Sequence, residues 1–156
     1  MALEDDIALF ERVPTFALLG KQALRILAIG AESHQLPIGA VLFYAGDLAE
    51  SGFLVVDGAL QLEPGTPGDG VEMVAGPGTL IGEQALFTDA VRLATATAIE
   101  PTTVIRISRS LFTRMLEGYP AAARKLRDAM AARVDQMARE LGGVKAALDT
   151  GEDPFG

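Results

Sequence analysis

The sequence predicts a mainly β domain framed by helices: a sandwich, jelly roll or small barrel of seven or eight strands. Three observations predict it. Short apolar or β-branched runs recur roughly every 8 to 12 residues through the middle of the chain. Turns rich in glycine and proline separate them, and eight of the 17 glycines lie in those turns. Helical periodicity occupies both ends.

Composition bounds the rest. At 156 residues the chain is one domain, large enough to bury a core without staples. It is 49% hydrophobic and 22% charged, as in a folded rather than a disordered protein. Without cysteine there can be no disulfide, iron–sulfur cluster or thiolate zinc site. No apolar run approaches the ~18 residues of a membrane helix, and the first residues are acidic where a secretory leader would be basic. A cytoplasmic protein with no membrane partner is expected. The net charge of −8 argues against a nucleic-acid surface. An anionic ligand would have to be drawn in locally, by placed donors.

In chain order, residues 3–11 set Leu3, Ile7 and Phe10 on one helical face with acids in the first turn, and Pro14 is expected to stop that helix. A second helix is expected over 21–29, ended by Gly30. Strands are expected over 32–36, 41–44, 52–56, 59–63, 71–74, 93–100 and 102–108. Asp57-Gly58 between two of these runs predicts a two-residue hairpin. Ser110 is expected to cap a helical turn over 111–116, and Pro120 to open a longer helix over 121–141. Met130, Val134, Met137 and Leu141 alternate by four and three residues, continuing to Val144 and Leu148. This is a coiled-coil-like seam that could fold back on the β core or form a homodimer interface. Gly142-Gly143 is expected to end or kink the helix, leaving a domain over 1–141 and a flexible tail over 142–156.

One stretch carries chemistry. Residues 78–98 hold a Gly82-Glu83 turn, a turn's worth of helix formers, a short loop, the lone Arg92, and then residues at strand spacing. Backbone N–H groups at a helix start attract an anion, and a guanidinium can close on a phosphate in bidentate fashion. Glu83 would repel phosphate alone, but it suits a ligand that also offers a hydroxyl.

The motif Ile81-Gly82-Glu83-Gln84-Ala85-Leu86-Phe87, then Val91-Arg92-Leu93-Ala94-Thr95, with nine residues from Glu83 to Arg92, resembles the phosphate-binding cassette of the cyclic nucleotide-binding domain family. That family includes catabolite-activator-type regulators and cyclic-nucleotide-dependent kinases and channels. The resemblance covers the chain from about residue 9 to 141. It implies a jelly-roll-like β-roll, or double-stranded β-helix, of about eight strands flanked by N-terminal and C-terminal helices, and a cyclic nucleotide as ligand.

The resemblance also implies roles. Glu83 and the Gly82 N–H would meet the ribose 2′-hydroxyl, Arg92 the cyclic phosphate, and the N–H groups of Ala85 and Leu93 would complete the cradle, with Gln84 and Ala94 beside them. Val91 stands where the family often has proline. Leu93 stands where cGMP-preferring members often carry threonine, which points to cAMP over cGMP. Leu126, Met130 and Met137 are candidates for the apolar lid over the base, although a helical Met or Leu stripe more often serves plain core packing. With no ligand, Glu83 and Arg92 are expected to pair with each other, because a buried guanidinium left alone is costly.

The implied function is a regulatory sensor, not an enzyme, that couples nucleotide binding to the C-terminal helices and an unidentified effector protein. The alternative is an interaction module that has kept the fold and lost the ligand. His34 is the only histidine, so no cupin-type metal site is expected, and Ser108 and Ser110 have no histidine base nearby for hydrolase chemistry. Only fifteen residues follow Leu141, so a helix-turn-helix and direct DNA binding are not expected.

Overall fold

The computed structural model describes residues 3–66 and 71–149, with side chains as far as 141 in the last helix. The expected flexible tail over 142–156 continues as helix to Asp149; its remainder over 150–156, the expected turn residues 67–70, and the side chains of Val144 and Leu148 lie outside the described residues.

Three helices open the chain: α1 (Leu3–Glu11), α2 (Pro14–Ala17) and α3 (Lys21–Gly30). The carboxylates of Glu4, Asp5 and Asp6 sit in the first turn of α1, where the helix dipole favours them. Pro14 does more than stop α1. Its fixed φ and missing N–H suit a first helical position, and it starts α2.

Ten strands follow among the described residues. They are β1 (Glu32–Leu36), β2 (Val41–Phe43), β3 (Leu48–Ala49), β4 (Ser51–Asp57), β5 (Leu60–Pro64), β6 (Met73–Ala75), β7 (Leu80–Ile81), β8 (Ala90–Val91), β9 (Ala94–Ala98) and β10 (Thr102–Ser108). All pair antiparallel, in two four-stranded sheets ordered β1-β10-β4-β7 and β2-β9-β5-β6, with a two-stranded β3-β8 ribbon. The expected β-roll flanked by helices is the observed fold. The strands beyond the expected count are β3, β7 and β8, each two residues long. Two residues are too short to show a period-2 pattern.

The expected Asp57-Gly58 hairpin is not one. β4 lies between β10 and β7 in one sheet, and β5 lies between β9 and β6 in the other. The turn carries the chain across the roll. Gly58 has φ +88°, and a Cβ there would lie 2.4 Å from the Pro101 carbonyl oxygen. The Thr102 hydroxyl ties the crossing, accepting from Ala59 N at 3.1 Å and donating to the Glu100 carbonyl at 2.8 Å. Both edges of β4 are taken by other strands because the strand is apolar on both faces. Phe53 and Val55 pack inside the roll, while Leu54 and Val56 pack against the helices.

Two cores result. The helical one joins Phe10, Phe16, Leu24, Leu27, Phe112 and Met115 to Leu54, Ile105 and Ile107 of the sheet. The other lies inside the roll, built from Phe43, Phe53, Val55, Leu60, Ile81, Val104 and the small Ala75, Ala96 and Ala98.

The chain closes with α4 (Arg109–Gly118) and α5 (Pro120–Asp149). The cap of α4 is Ser108, not Ser110. Its extended backbone ends β10, and its Oγ accepts from Leu111 N at 3.1 Å, so the helix begins one residue after the strand. α5 runs through Gly142-Gly143, where an end or kink was expected. Each glycine costs about 1 kcal/mol against alanine, a penalty that good formers on both sides offset.

Candidate functional site

The site is built where β7 gives way to a 3-10 turn (Glu83–Leu86) and the chain returns through β8 to β9. Gly82 makes the corner with φ 76° and ψ 33°, left-handed geometry that costs a residue with a Cβ about 1–2 kcal/mol. Space demands glycine too. A Cβ at position 82 would lie 2.3 Å from Nη1 of Arg92.

Arg92 is aimed inward by its backbone. Its N–H donates to the Asp47 carbonyl at 2.8 Å and its carbonyl accepts from Gly46 N at 2.7 Å, extending the β3-β8 ribbon. The side chain is only 7% exposed. Nη2 donates to the Ser51 carbonyl at 2.7 Å, and Cζ lies 4.3 Å from the Phe43 ring centroid and 5.4 Å from that of Phe53. Desolvation lowers its pKa from the usual value, the Arg106 charge adds to this, and Asp47 opposes it. Among the described residues no carboxylate comes within ion-pair distance of Arg92. A buried cation with aromatic and carbonyl partners but no paired anion is able to receive one.

A cavity of about 200 Å³ opens beside it, lined among others by Phe43, Leu62 and Ile81 and by six expected site residues: Gly82, Gln84, Ala85, Arg92, Leu93 and Ala94. The cassette expected from residues 82–94 therefore surrounds one concave, mostly apolar space. The seventh expected residue does not line it.

Glu83 points the other way. Its Oε1 accepts from the hydroxyl of Thr15 on α2, 68 positions earlier in the chain. It lines a second cavity, also about 200 Å³, with Thr15, Gln84, Phe87, Leu126, Met130 and Arg133. The expected Glu83–Arg92 pair is thus absent among the described residues. Each side chain has a local partner, Thr15 for one and Ser51 for the other, that satisfies it without bringing both charges together. A further difference concerns Ala85, whose N–H donates to the Gly82 carbonyl at 3.0 Å within the turn.

The expected lid residues divide. Leu126 is 4% exposed in the helical core and Met130 borders the Glu83 cavity, whereas Met137 is 60% exposed. Sequence reading missed Thr15, Ser51, Phe43 and Phe53. Their contacts with the cassette span dozens of residues, and no local spacing signals them. Among the described residues, no cluster of histidine or acidic side chains could hold a metal ion, and no helix is long and apolar enough to cross a membrane.

Residues 33–119 match a family model described as the cyclic nucleotide-binding domain. The chain is similar to the cyclic AMP receptor protein of Thermus thermophilus, with 32% identity over 82% of this chain and 60% of that protein. It is also similar to lysophospholipase nte1 of Neurospora crassa, 33% identical over 64% of this chain but only 7% of that protein. A solved cyclic nucleotide-binding-like protein from Brucella abortus superposes with a TM-score of 0.65 and 40% identity, covering 72% of this chain and 98% of that one. The chain thus spans from 7% to 60% of the two curated relatives' lengths.

Proposed function

The chain belongs to the cyclic nucleotide-binding domain family, and on that premise we propose that it binds a 3′,5′-cyclic nucleotide, cAMP over cGMP, in the cavity beside Arg92. The observation that carries the reading is the Arg92 guanidinium, 7% exposed, with no carboxylate among the described residues in pair distance, and open to a cavity walled by the cassette. A cyclic phosphate would supply the missing anion in bidentate fashion. Gly82 leaves room for it. Gln84, Ala85, Leu93 and Ala94 wall the nucleotide, and Leu93 offers no hydroxyl to a guanine.

In this reading the protein is a regulatory sensor in the cytoplasm rather than an enzyme, with its domain over 1–141. Ligand binding shifts the C-terminal helices by no more than its differential affinity for their two arrangements, about 1–3 kcal/mol. An effector protein reads that shift. The exposed seam of Met130, Val134, Met137 and Leu141 on α5 supports a homodimer through that helix.

A second reading has its own support. Arg92 and Glu83 both already have protein partners, as they would in an interaction module that keeps the fold without the ligand. Calorimetric titration with cAMP and cGMP separates the two. The sensor reading expects micromolar or tighter binding by the wild type and a loss of about a hundredfold or more in Arg92→Ala. No heat from either nucleotide would leave only the interaction module.

A further inference from the structure

The side chain expected to recognise the ribose is held outside the cavity that the ribose would enter, by a residue far away in sequence. Thr15 is 4% exposed, and its hydroxyl donates to Glu83. α2 is only four residues long and has no side-chain cap of its own, and this contact ties it to the cassette. The same carboxylate borders a cavity closed by Leu126 and Met130 of α5. Glu83 thus stands at a junction of α2, the 3-10 turn and α5, while its neighbours Gly82 and Gln84 line the cavity beside Arg92.

We propose that Thr15 is a positioning residue that sets how strongly this site favours a nucleotide bearing a 2′-hydroxyl, by competing with that hydroxyl for the Glu83 carboxylate. The inference rests on the cyclic-nucleotide reading of the cavity. A carboxylate oxygen takes its hydrogen bond either from Thr15 or, after turning about its side-chain bonds, from a ribose hydroxyl at the mouth of the cassette. Whatever stabilises the first arrangement is subtracted from affinity in the second. The subtraction applies only to ligands that offer the hydroxyl. A 2′-deoxy nucleotide leaves Glu83 with Thr15 and is indifferent to that bond. Release of Thr15 would also break that hydrogen bond between α2 and the cassette, giving the N-terminal helices a direct report of ribose binding.

The test compares cAMP with 2′-deoxy-cAMP on the full chain by calorimetry, in the wild type, Thr15→Val and Thr15→Ser, with thermal melts to verify folding. Valine keeps the branched shape and removes the donor; serine restores the donor without the methyl. Thr15→Val is expected to bind cAMP roughly ten- to a hundredfold more tightly, the size of one charged hydrogen bond released from competition. Its affinity for 2′-deoxy-cAMP should be unchanged, and Thr15→Ser should return the preference to the wild-type ratio. A Thr15→Val change that is equal for both nucleotides, or that Thr15→Ser shares, overturns the proposal while leaving the binding site intact. Failure of all three proteins to bind either nucleotide overturns the reading beneath it as well.

Discussion

The two cores of this molecule are built on opposite principles. The helical core is closed by large side chains, with Phe10, Phe16, Leu27 and Phe112 all at 0% exposure. The rings of Phe16 and Phe112 lie 6.0 Å apart, and Phe87 meets Phe112 edge-on at 5.4 Å. The roll interior uses alanines at 75, 96 and 98, leaves a cavity, and admits the Arg92 guanidinium against Phe43 and Phe53. The first arrangement maximises apolar area removed from water, about 1.5–3 kcal/mol for each large side chain. The second gives up packing and desolvates a charge. Stability thus resides mainly in the helical layer, which lets the roll hold a buried charge and a cavity.

Substitutions in each region test that contrast. The largest effect is expected from Leu27→Ala in α3, which leaves a cavity in the closed core. It should cost about 2–5 kcal/mol and lower the melting temperature by about 10 °C. Nucleotide affinity measured well below the transition should not change. If affinity falls in step with stability, the two regions are not separable.

Gly82→Ala is expected to reverse the balance. Its left-handed corner costs about 1–2 kcal/mol with alanine, while the added Cβ displaces Nη1 of Arg92. Nucleotide affinity should fall on the order of a hundredfold, for a melting temperature lowered by only a few degrees. Calorimetry and a melt on the same sample check both halves.

The smallest effect concerns a flaw in the helical layer itself. The Oδ1 of Asp6 is buried with no hydrogen-bond partner among the described residues, and desolvation raises the pKa of this carboxyl above its ordinary 3.8, with Asp5 adding to the rise. A raised folded pKa means that the folded state binds the proton more readily than the unfolded one. Ionised Asp6 therefore destabilises the fold as pH rises from 3.8 through the raised value. Asp6→Asn should raise the melting temperature at pH 7 by about a degree, and the gain should vanish as pH falls below the ordinary carboxyl range. A gain that persists in acid would point to a cause other than charge.

Much of this was legible in the chain. The strand runs, the breaks at Pro14 and Gly30, and the Gly82–Glu83–Arg92 spacing are local patterns, and local patterns are what a sequence displays. The misreadings share a physical origin. Asp57-Gly58 has hairpin chemistry, but the two-sided burial of β4 and the close approach of Gly58 to Pro101 send the chain to another sheet. Ser110 could have capped α4, yet β10 runs on to Ser108 and the cap moves with it. The two-residue strands exist only because neighbours pair with them.

Periodicity, turn chemistry and motif spacing are short-range signals, and from them the fold class, the family and six of the residues around the cavity can be read. Where the charges point depends on contacts made across the fold. Arg92 turns to Ser51 and two phenylalanines, and Glu83 turns to Thr15, because each polar group takes the partner that folding brings nearest. Those partners lie 41 and 68 positions away, a separation at which no spacing in the chain carries information about contact.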